Sequence, residues 1–214
     1  MKKHLFLLLL LMPLIGCNIL SGSQTQNTSE VSYHTTTPFS ISNPQQDTTN
    51  SINITKKATA LATAWHNDAQ LAGLSITYDS ISETANKTGT YAYISNQDPN
   101  NIFQIVFRSG HIDQPDTKII SRGANNIPAS QFANIIPFDR WKITSAGALA
   151  IADNNNGAVM RGMSTNPNAF SANTTLEFNN NILQWSVAYY SSSNSGTAIQ
   201  TPIKINAETG EIIQ

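Results

Sequence analysis

The sequence predicts an α+β fold made of two small units in tandem, each a helix packed on a small antiparallel sheet. In the first half, apolar residues recur at helical spacing and are followed by three alternating, strand-like segments. The same order of patterns begins again near Trp141. The offset between the two sets is roughly 90 residues, longer than a solenoid repeat, and favours duplication of a small unit. We place the first unit at residues 53–125 and the second at 126–214.

The N-terminal segment has the features of an export signal. Lys2 and Lys3 precede an apolar run from Leu5 to Ile15. A helix that spans a bilayer needs about 20 apolar residues, so this run is too short. It fits the apolar core of a secretory signal peptide, which we assign to residues 1–16.

Four residues at the end of that signal, Leu14-Ile15-Gly16-Cys17, resemble the lipobox of bacterial lipoproteins. The resemblance implies cleavage after Gly16 and a lipid thioether on Cys17, which would anchor the chain to the membrane of the cell envelope on its extracytoplasmic side. Asn18 is not the Asp of the enteric retention signal, which favours an outer membrane where one exists. The alternative is an ordinary secreted protein. Cys17 is the only cysteine of the sequence, so we expect no disulfide and no thiolate metal site.

The composition excludes one class of partner. Charged residues make up 12% of the chain and the net charge is −1, against a usual charged share of roughly 25%. A protein that binds nucleic acid carries a basic surface, and none is indicated here. The expected partners are therefore the membrane, through the lipid on Cys17, and an envelope protein or peptide.

The chain between the signal and the first unit, residues 17–52, is predicted to be a disordered tether. It is rich in Ser, Thr, Gln and Asn, and such a segment buries too little apolar surface to offset its ordering entropy. The first helix is predicted from Lys56 to Leu71, with Thr55 as N-cap. Gly73 suits the left-handed position after it.

Strands are predicted after each helix. In the first half they cover residues 74–78, 90–94, 102–107 and 118–121. In the second half a short strand at 141–143 precedes a helix over residues 146–153 capped by Ser145, and strands follow at 174–178, 183–190, 202–206 and 211–213. The strongest pattern alternates Leu183, Trp185, Val187 and Tyr189, which is typical of a half-buried strand.

The last hairpin carries a second resemblance. The segment Asn206-Ala207-Glu208-Thr209-Gly210-Glu211 lies between two strand patterns and resembles the closing turn of PepSY domains, although Asn206 stands where the family has Asp. Gly210 supplies a positive φ, and Asn206 and Thr209 can bond the turn backbone. The resemblance covers residues 140–213 and implies a helix-plus-meander module that binds partner proteins, peptidases among them, without catalysis.

The spacing of the candidate ligand residues does not fit a zinc site or a calcium loop. His66 with Asp68, and His111 with Asp113, are pairs two residues apart, whereas a zinc site needs three or four convergent ligands. The segment 153–157 lacks the glycine position and the final glutamate of a calcium loop, and is better interpreted as a helix end. We therefore expect no metal and no cofactor.

The sequence also offers no catalytic motif. It has no GxSxG elbow, no glycine-rich phosphate loop and no evident carboxylate pair. Trp65, Trp141 and Trp185 fit core positions, and Tyr190 is the better candidate for an exposed aromatic. The leading hypothesis is a non-catalytic lipoprotein that binds a protein or peptide and restrains a peptidase. The alternatives are a divergent extracytoplasmic enzyme and a purely structural envelope component.

Overall fold

The computed structural model describes residues 35–109, 111–123, 132–163, 166, 169–191 and 201–213. The predicted signal peptide, Cys17 and the first part of the predicted tether lie outside these residues. The described residues belong to one compact unit. The helices are α1 Pro44–Trp65, α2 Ser145–Ala152 and α3 Ala158–Gly162, with a 3₁₀ turn Phe138–Arg140. A π-helical turn Asp153–Gly157 joins α2 to α3 and is kinked at Asn155 and Asn156, whose backbone angles are not helical. The strands are β1 Gln70–Tyr78, β2 Lys87–Ile94, β3 Asn101–Arg108, β4 Asp116–Ser121, β5 Phe170–Asn179, β6 Ile182–Ser191, β7 Ile203–Asn206 and β8 Ile212–Ile213.

The strands form a single antiparallel sheet, so the prediction of two tandem units, each a helix packed on a small sheet of its own, is wrong. The eight strands of the described residues lie in the order β4-β3-β2-β1-β5-β6-β7-β8. The join is the pairing of β1 with β5, from Leu74 opposite Leu176 to Tyr78 opposite Ala172. Two separate units would leave both strands as open edges, and their pairing satisfies those backbone groups. The molecule is mostly sheet, with one continuous core.

The strand predictions are otherwise confirmed, except that the segment 141–143 is not a strand. In β6 the alternating residues Leu183, Trp185, Val187 and Tyr189 are all fully buried. They face the helices, because the Trp185 indole donates to the carbonyl of Ile143, just before α2, at 2.6 Å. On the other face Gln184 and Ala188 are also buried.

The first helix begins earlier than predicted. Asn43 is its N-cap, with a side chain that accepts from the Gln46 amide at 3.0 Å, and Pro44 occupies the first turn. Residues 44–52, predicted as tether, are therefore helical, and Phe39 before them is buried. The first turns of α1 carry no apolar periodicity, so the sequence pattern did not show them. The helix ends at Trp65, six residues before the predicted end.

The second helix and the final turn follow the sequence closely. α2 begins one residue before the predicted start, and its N-cap is Thr144, whose hydroxyl accepts from the Gly147 amide at 3.0 Å. In the turn before β8, the Asn206 side chain accepts from the amides of Glu208 and Thr209. Gly210 has φ +79°, as its place in the turn requires.

Across the described residues, no helix is both long enough and apolar enough to cross a membrane.

Candidate functional site

A groove of 460 Å³ opens between α1 and the strands β1 to β3. Its floor is a row across three strands, in which Gly89 of β2 stands between Ile76 of β1 and Phe107 of β3. Because Gly89 has no side chain, the row has a gap where its neighbours carry large apolar groups. A glycine inside a strand often marks a place where another group approaches closely. The tip of Ile76 and the ring of Tyr91 lean towards this gap, 3.0 and 3.3 Å from where a Cβ of residue 89 would lie, and they make the groove floor apolar.

The helix over the groove is held by contacts nearer its C-terminal end. The Thr59 and Tyr93 hydroxyls lie 3.0 Å apart, and the ring of Trp65 stacks on that of Phe103 with centroids 5.3 Å apart. The earlier turns contribute mainly polar groups to the groove wall. The α1 residues that line the groove are Asp47, Asn50, Ser51, Asn53, Ile54 and Lys57.

The rim of the groove carries charges, most of which are paired. Lys57 donates to Asp113 at 2.8 Å, and Arg108 pairs with Asp116. The Lys57 hydrogen bond lowers the pKa of Asp113.

Lys87 is the exception among the cations that line the groove. Its ammonium lies over the Tyr78 ring, 5.3 Å from the centroid. Among the described residues, no carboxylate is within ion-pair distance of it. The Asp47 carboxylate, also on the groove wall, accepts from the Thr144 hydroxyl at 2.6 Å.

The tyrosines beneath the groove are neutral hydrogen-bonding groups at physiological pH. Burial raises the pKa of Tyr91 to about 12. Burial also raises the pKa of Tyr78, whose hydroxyl lies 2.8 Å from that of Ser145. A phenol with a raised pKa is a poor base at neutral pH, so the Tyr78–Ser145 contact does not activate the serine.

A second polar cluster lies at the π-helical turn, in the core beside β6. Asp153 is 1% exposed and accepts from both Nε and Nη2 of Arg161, at 3.1 and 2.5 Å. It also accepts from the Tyr189 hydroxyl at 3.2 Å and from the Phe39 amide at 2.6 Å. Arg161 is itself 4% exposed. The charges are thus paired and saturated with hydrogen bonds, as buried charges require.

This cluster fastens the start of the described chain to the domain. Arg161 donates to the Thr37 carbonyl at 3.1 Å, and the Thr36 hydroxyl donates to the Ala158 carbonyl. Gly157 makes the arrangement possible, because a Cβ there would overlap the Tyr189 hydroxyl. The calcium-loop interpretation stays excluded, because Arg161 occupies both carboxylate oxygens of Asp153.

The candidate metal pairs do not converge. His66 caps α1 and lies 3.9 Å from Asp98, whereas Asp68 bonds Ser95 and the amide of Asn96. The other pair, His111 and Asp113, is exposed. No group of three or more His, Cys, Asp or Glu side chains in the described part of the chain could hold a metal ion.

The predictions for the three tryptophans and Tyr190 are met to different degrees. Trp185 is fully buried, whereas Trp65 and Trp141 are half-buried. The indole nitrogens of Trp141 and Trp185 both donate to the Ile143 carbonyl at 2.6 Å. Tyr190 is half-buried rather than exposed.

The sequence reasoning missed both the groove and the Asp153 cluster. Each depends on residues brought together by pairing across strands or by a turn, over separations that periodicity does not report. Gly89 lies one residue before the predicted strand 90–94, so nothing in the sequence pattern marked it as a gap within a strand. For the cluster, Asp153 was predicted as the last residue of the second helix, and no partner was predicted for it.

Comparisons with known proteins give little. No family model matches the chain, and no curated protein matches it. The PepSY likeness of residues 140–213 therefore stays a resemblance of motif. Among solved structures, the chain is similar to a protein from Clostridium difficile 630 (CD1622) described as a lipoprotein, with 12% identity over 75% of this chain and 90% of that chain, and a TM-score of 0.47. A similarity at this level carries no argument about fold or function.

Proposed function

We propose that this protein is a lipid-anchored component of the cell envelope whose folded domain binds a peptide or protein segment without catalysing a reaction. The anchor is inferred from the lipobox-like residues that end in Cys17. The binding role is inferred from the groove between α1 and β1 to β3, and the gap at Gly89 is the observation that carries it.

The groove has the features of a recognition site. Its volume of 460 Å³ lies within the range of roughly 300–1,000 Å³ typical of ligand pockets. An apolar floor with polar and charged groups around it can bury a side chain of the ligand and fix its orientation. The wall contains Asn50 and Asn53, which can bond the amide groups of a peptide.

Binding is better supported than catalysis by the hydroxyls that line this groove. Ser109 bonds the backbone of Lys87, and Ser145 bonds the Tyr78 hydroxyl. A serine nucleophile works with an adjacent general base, and neither contact supplies one. The groove is therefore assigned to recognition.

The test is to fill the gap. Gly89→Val adds a branched side chain that suits a strand, and its Cβ would lie 3.0 Å from the tip of the flexible Ile76 side chain and 3.3 Å from the ring of Tyr91. Thr90→Val is the matched control, on the same strand but facing the other side of the sheet. Peptides selected from a random library on the wild-type protein are then measured against both variants.

Selected peptides should bind the Thr90→Val protein as they bind wild type, and should lose at least tenfold in affinity for Gly89→Val. Equal binding to all three proteins would place the site elsewhere. A library that yields no binder above the background of an unrelated lipoprotein would overturn the binding role.

The anchor is tested separately by metabolic labelling of cells with an alkyne-tagged palmitate. The wild-type protein should be labelled and fractionate with membranes, and Cys17→Ala should be unlabelled and released or held as a precursor. An unlabelled wild-type protein that is still cleaved after Gly16 would contradict the proposed lipid anchor.

A further inference from the structure

We propose that the groove takes the C-terminal end of a peptide, with the last side chain, an apolar one, over Gly89 and the terminal carboxylate on Lys87. The inference rests on the binding role proposed above and adds the chemical class of the ligand. Three observations lead to it: the state of Lys87, its spacing from the gap, and the polar lining of α1.

Lys87 is the cation left for an anionic ligand. The other two cations of the groove, Lys57 and Arg108, already pair with Asp113 and Asp116. Glu83 is near enough to feel the Lys87 charge, but its carboxylate is held by the amide and hydroxyl of Ser42. An ammonium poised over a tyrosine ring, as Lys87 is over Tyr78, is oriented by the ring and keeps hydrogen-bond donors for a partner.

The spacing between Lys87 and the gap fits one terminal residue. Lys87 and Gly89 are two positions apart on β2, so they share a face with Cα atoms about 7 Å apart, and the Lys87 ammonium lies over Tyr78, the residue paired with Lys87, rather than over the Gly89 row. That separation is comparable to the distance from an α-carboxylate to the far end of a Leu or Phe side chain. A terminal residue can therefore reach both groups at once, and its side chain would pack above Gly89 on the Ile76 and Tyr91 side chains.

The lining favours a peptide over a fatty acid. An acyl chain has no use for amide partners, whereas the wall presents Asn50, Ser51 and Asn53 along one side. The Asp47 carboxylate on the same wall disfavours a second negative charge, which argues for a ligand with a single anionic end. The limited volume suits a short terminal segment better than a long internal strand.

The experiment uses the full chain purified in detergent and three labelled pentapeptides. The first, GSASL, has a free C-terminal carboxylate; the second is its C-terminal amide; the third, GSASS, is a free acid that ends in serine. Binding is measured to wild type, to Lys87→Met, to Gly89→Val and to the control Lys118→Met, which removes an exposed lysine of β4 outside the groove.

Wild type and Lys118→Met should bind the GSASL acid at least tenfold more tightly than either other probe. Lys87→Met should bind the acid and amide of GSASL equally, and Gly89→Val should lose the preference for leucine over serine. Thermal melts show whether the variants are folded. If Lys87→Met does not fold, the comparison of the GSASL acid with its amide on wild type still tests carboxylate recognition.

Equal binding of acid and amide to wild type would overturn carboxylate recognition and leave the proposed binding role intact. Failure of all three peptides on wild type would also overturn the inference. The library selection with Gly89→Val decides the binding role independently of these probes.

Discussion

The two helices that pack on the sheet differ in how much of their surface is buried. α2 has eight residues, and four of them are buried: Ala146, Ala148, Leu149 and Ala152. α1 has 22 residues, and only three are buried: Thr55, Ala58 and Ala62. The short helix is a piece of the core, whereas the long one is a polar element that rests on the sheet.

The difference separates a tightly packed α2 side of the molecule, over β5 to β7, from a looser α1 side over β1 to β3. Small residues let α2 lie close to the sheet, with Trp185 and Leu183 filling the space beneath. On the other side, a groove of 460 Å³ remains between α1 and the strands around Gly89. Close packing leaves no space for a ligand, and so a groove belongs to the side with the looser helix.

The ion pairs of the two sides follow the same division. On the α2 side, Asp153 and Arg161 are 0% and 5% exposed at their side chains. On the α1 side, the Lys57 and Asp113 side chains are 37% and 99% exposed. The first pair is a fixed part of the core, and the second is solvated and screened by salt.

Asp153→Ala should have the largest effect and tests whether the α2 side carries the stability. The change leaves the Arg161 charge buried without its partner and removes the acceptor of the Tyr189 hydroxyl and the Phe39 amide. Breaking a buried pair in this way costs about 3–5 kcal/mol, against a usual total of roughly 5–15 kcal/mol. Urea unfolding measures it, and a loss under about 1 kcal/mol would mean that the cluster is not held as described.

Replacing one tryptophan on each side sharpens the comparison. Trp185→Ala removes a fully buried ring and an indole hydrogen bond, and should cost about 3–5 kcal/mol. Trp65→Ala removes a half-buried ring stacked on Phe103, and should cost roughly 2 kcal/mol less. Urea melts of both variants decide; equal losses would contradict the view that the α1 side is the looser one.

Alkaline pH should weaken the α1 side through its buried tyrosines. Burial raises the pKa of both Tyr91 and Tyr93 to about 12, whereas an unfolded tyrosine titrates near pH 10. Between these values the unfolded chain loses protons that the folded chain keeps, so stability is full below about pH 10 and falls as the pH rises towards 12.

Tyr93→Phe should therefore lose about 1–2 kcal/mol less of its free energy of unfolding than wild type between pH 9 and pH 12, as measured by urea unfolding. It also removes the contact with the Thr59 hydroxyl, so its stability at pH 7 serves as the baseline. A decline of unchanged slope in the variant would show that Tyr93 does not contribute.

Asp113→Ala should have the smallest effect of the series. Its carboxylate is almost fully exposed, so the loss of the Lys57 contact should leave the urea midpoint where it is in wild type. A clear shift of the midpoint would mean that the loop around Asp113 closes over the groove and helps to hold α1.

The sequence predicted most of the strands but few of the pairings between them. The alternation in β6 and the turn from Asn206 to Gly210 are local signals, and both are present in the structure. The join between β1 and β5 has no such signal, because pairing partners nearly 100 residues apart leave no mark on periodicity. The first turns of α1 were missed for a related reason: they depend on the Asn43 cap and carry almost no apolar face.

The candidate site was predictable only in part. Gly89 precedes the predicted strand 90–94, so its place inside β2 was not predicted, and its place beneath α1 depends on how that helix crosses the sheet. The Asp153 cluster joins residues from four parts of the chain, and its members are ordinary residues in isolation. Cys17, the residue most strongly indicated by sequence, lies outside the described residues, and its lipidation stays a prediction.

The attachment of residues 36–39 to the Asp153 cluster has a mechanical consequence. A pull on the chain at Thr36 passes through the Phe39 amide and the Thr37 carbonyl into Asp153 and Arg161, and from there into Tyr189 of the central strands. The load thus enters the best-packed part of the domain and bypasses α1. A domain tethered from this point can bear tension at its anchor while the groove beneath α1 keeps its shape.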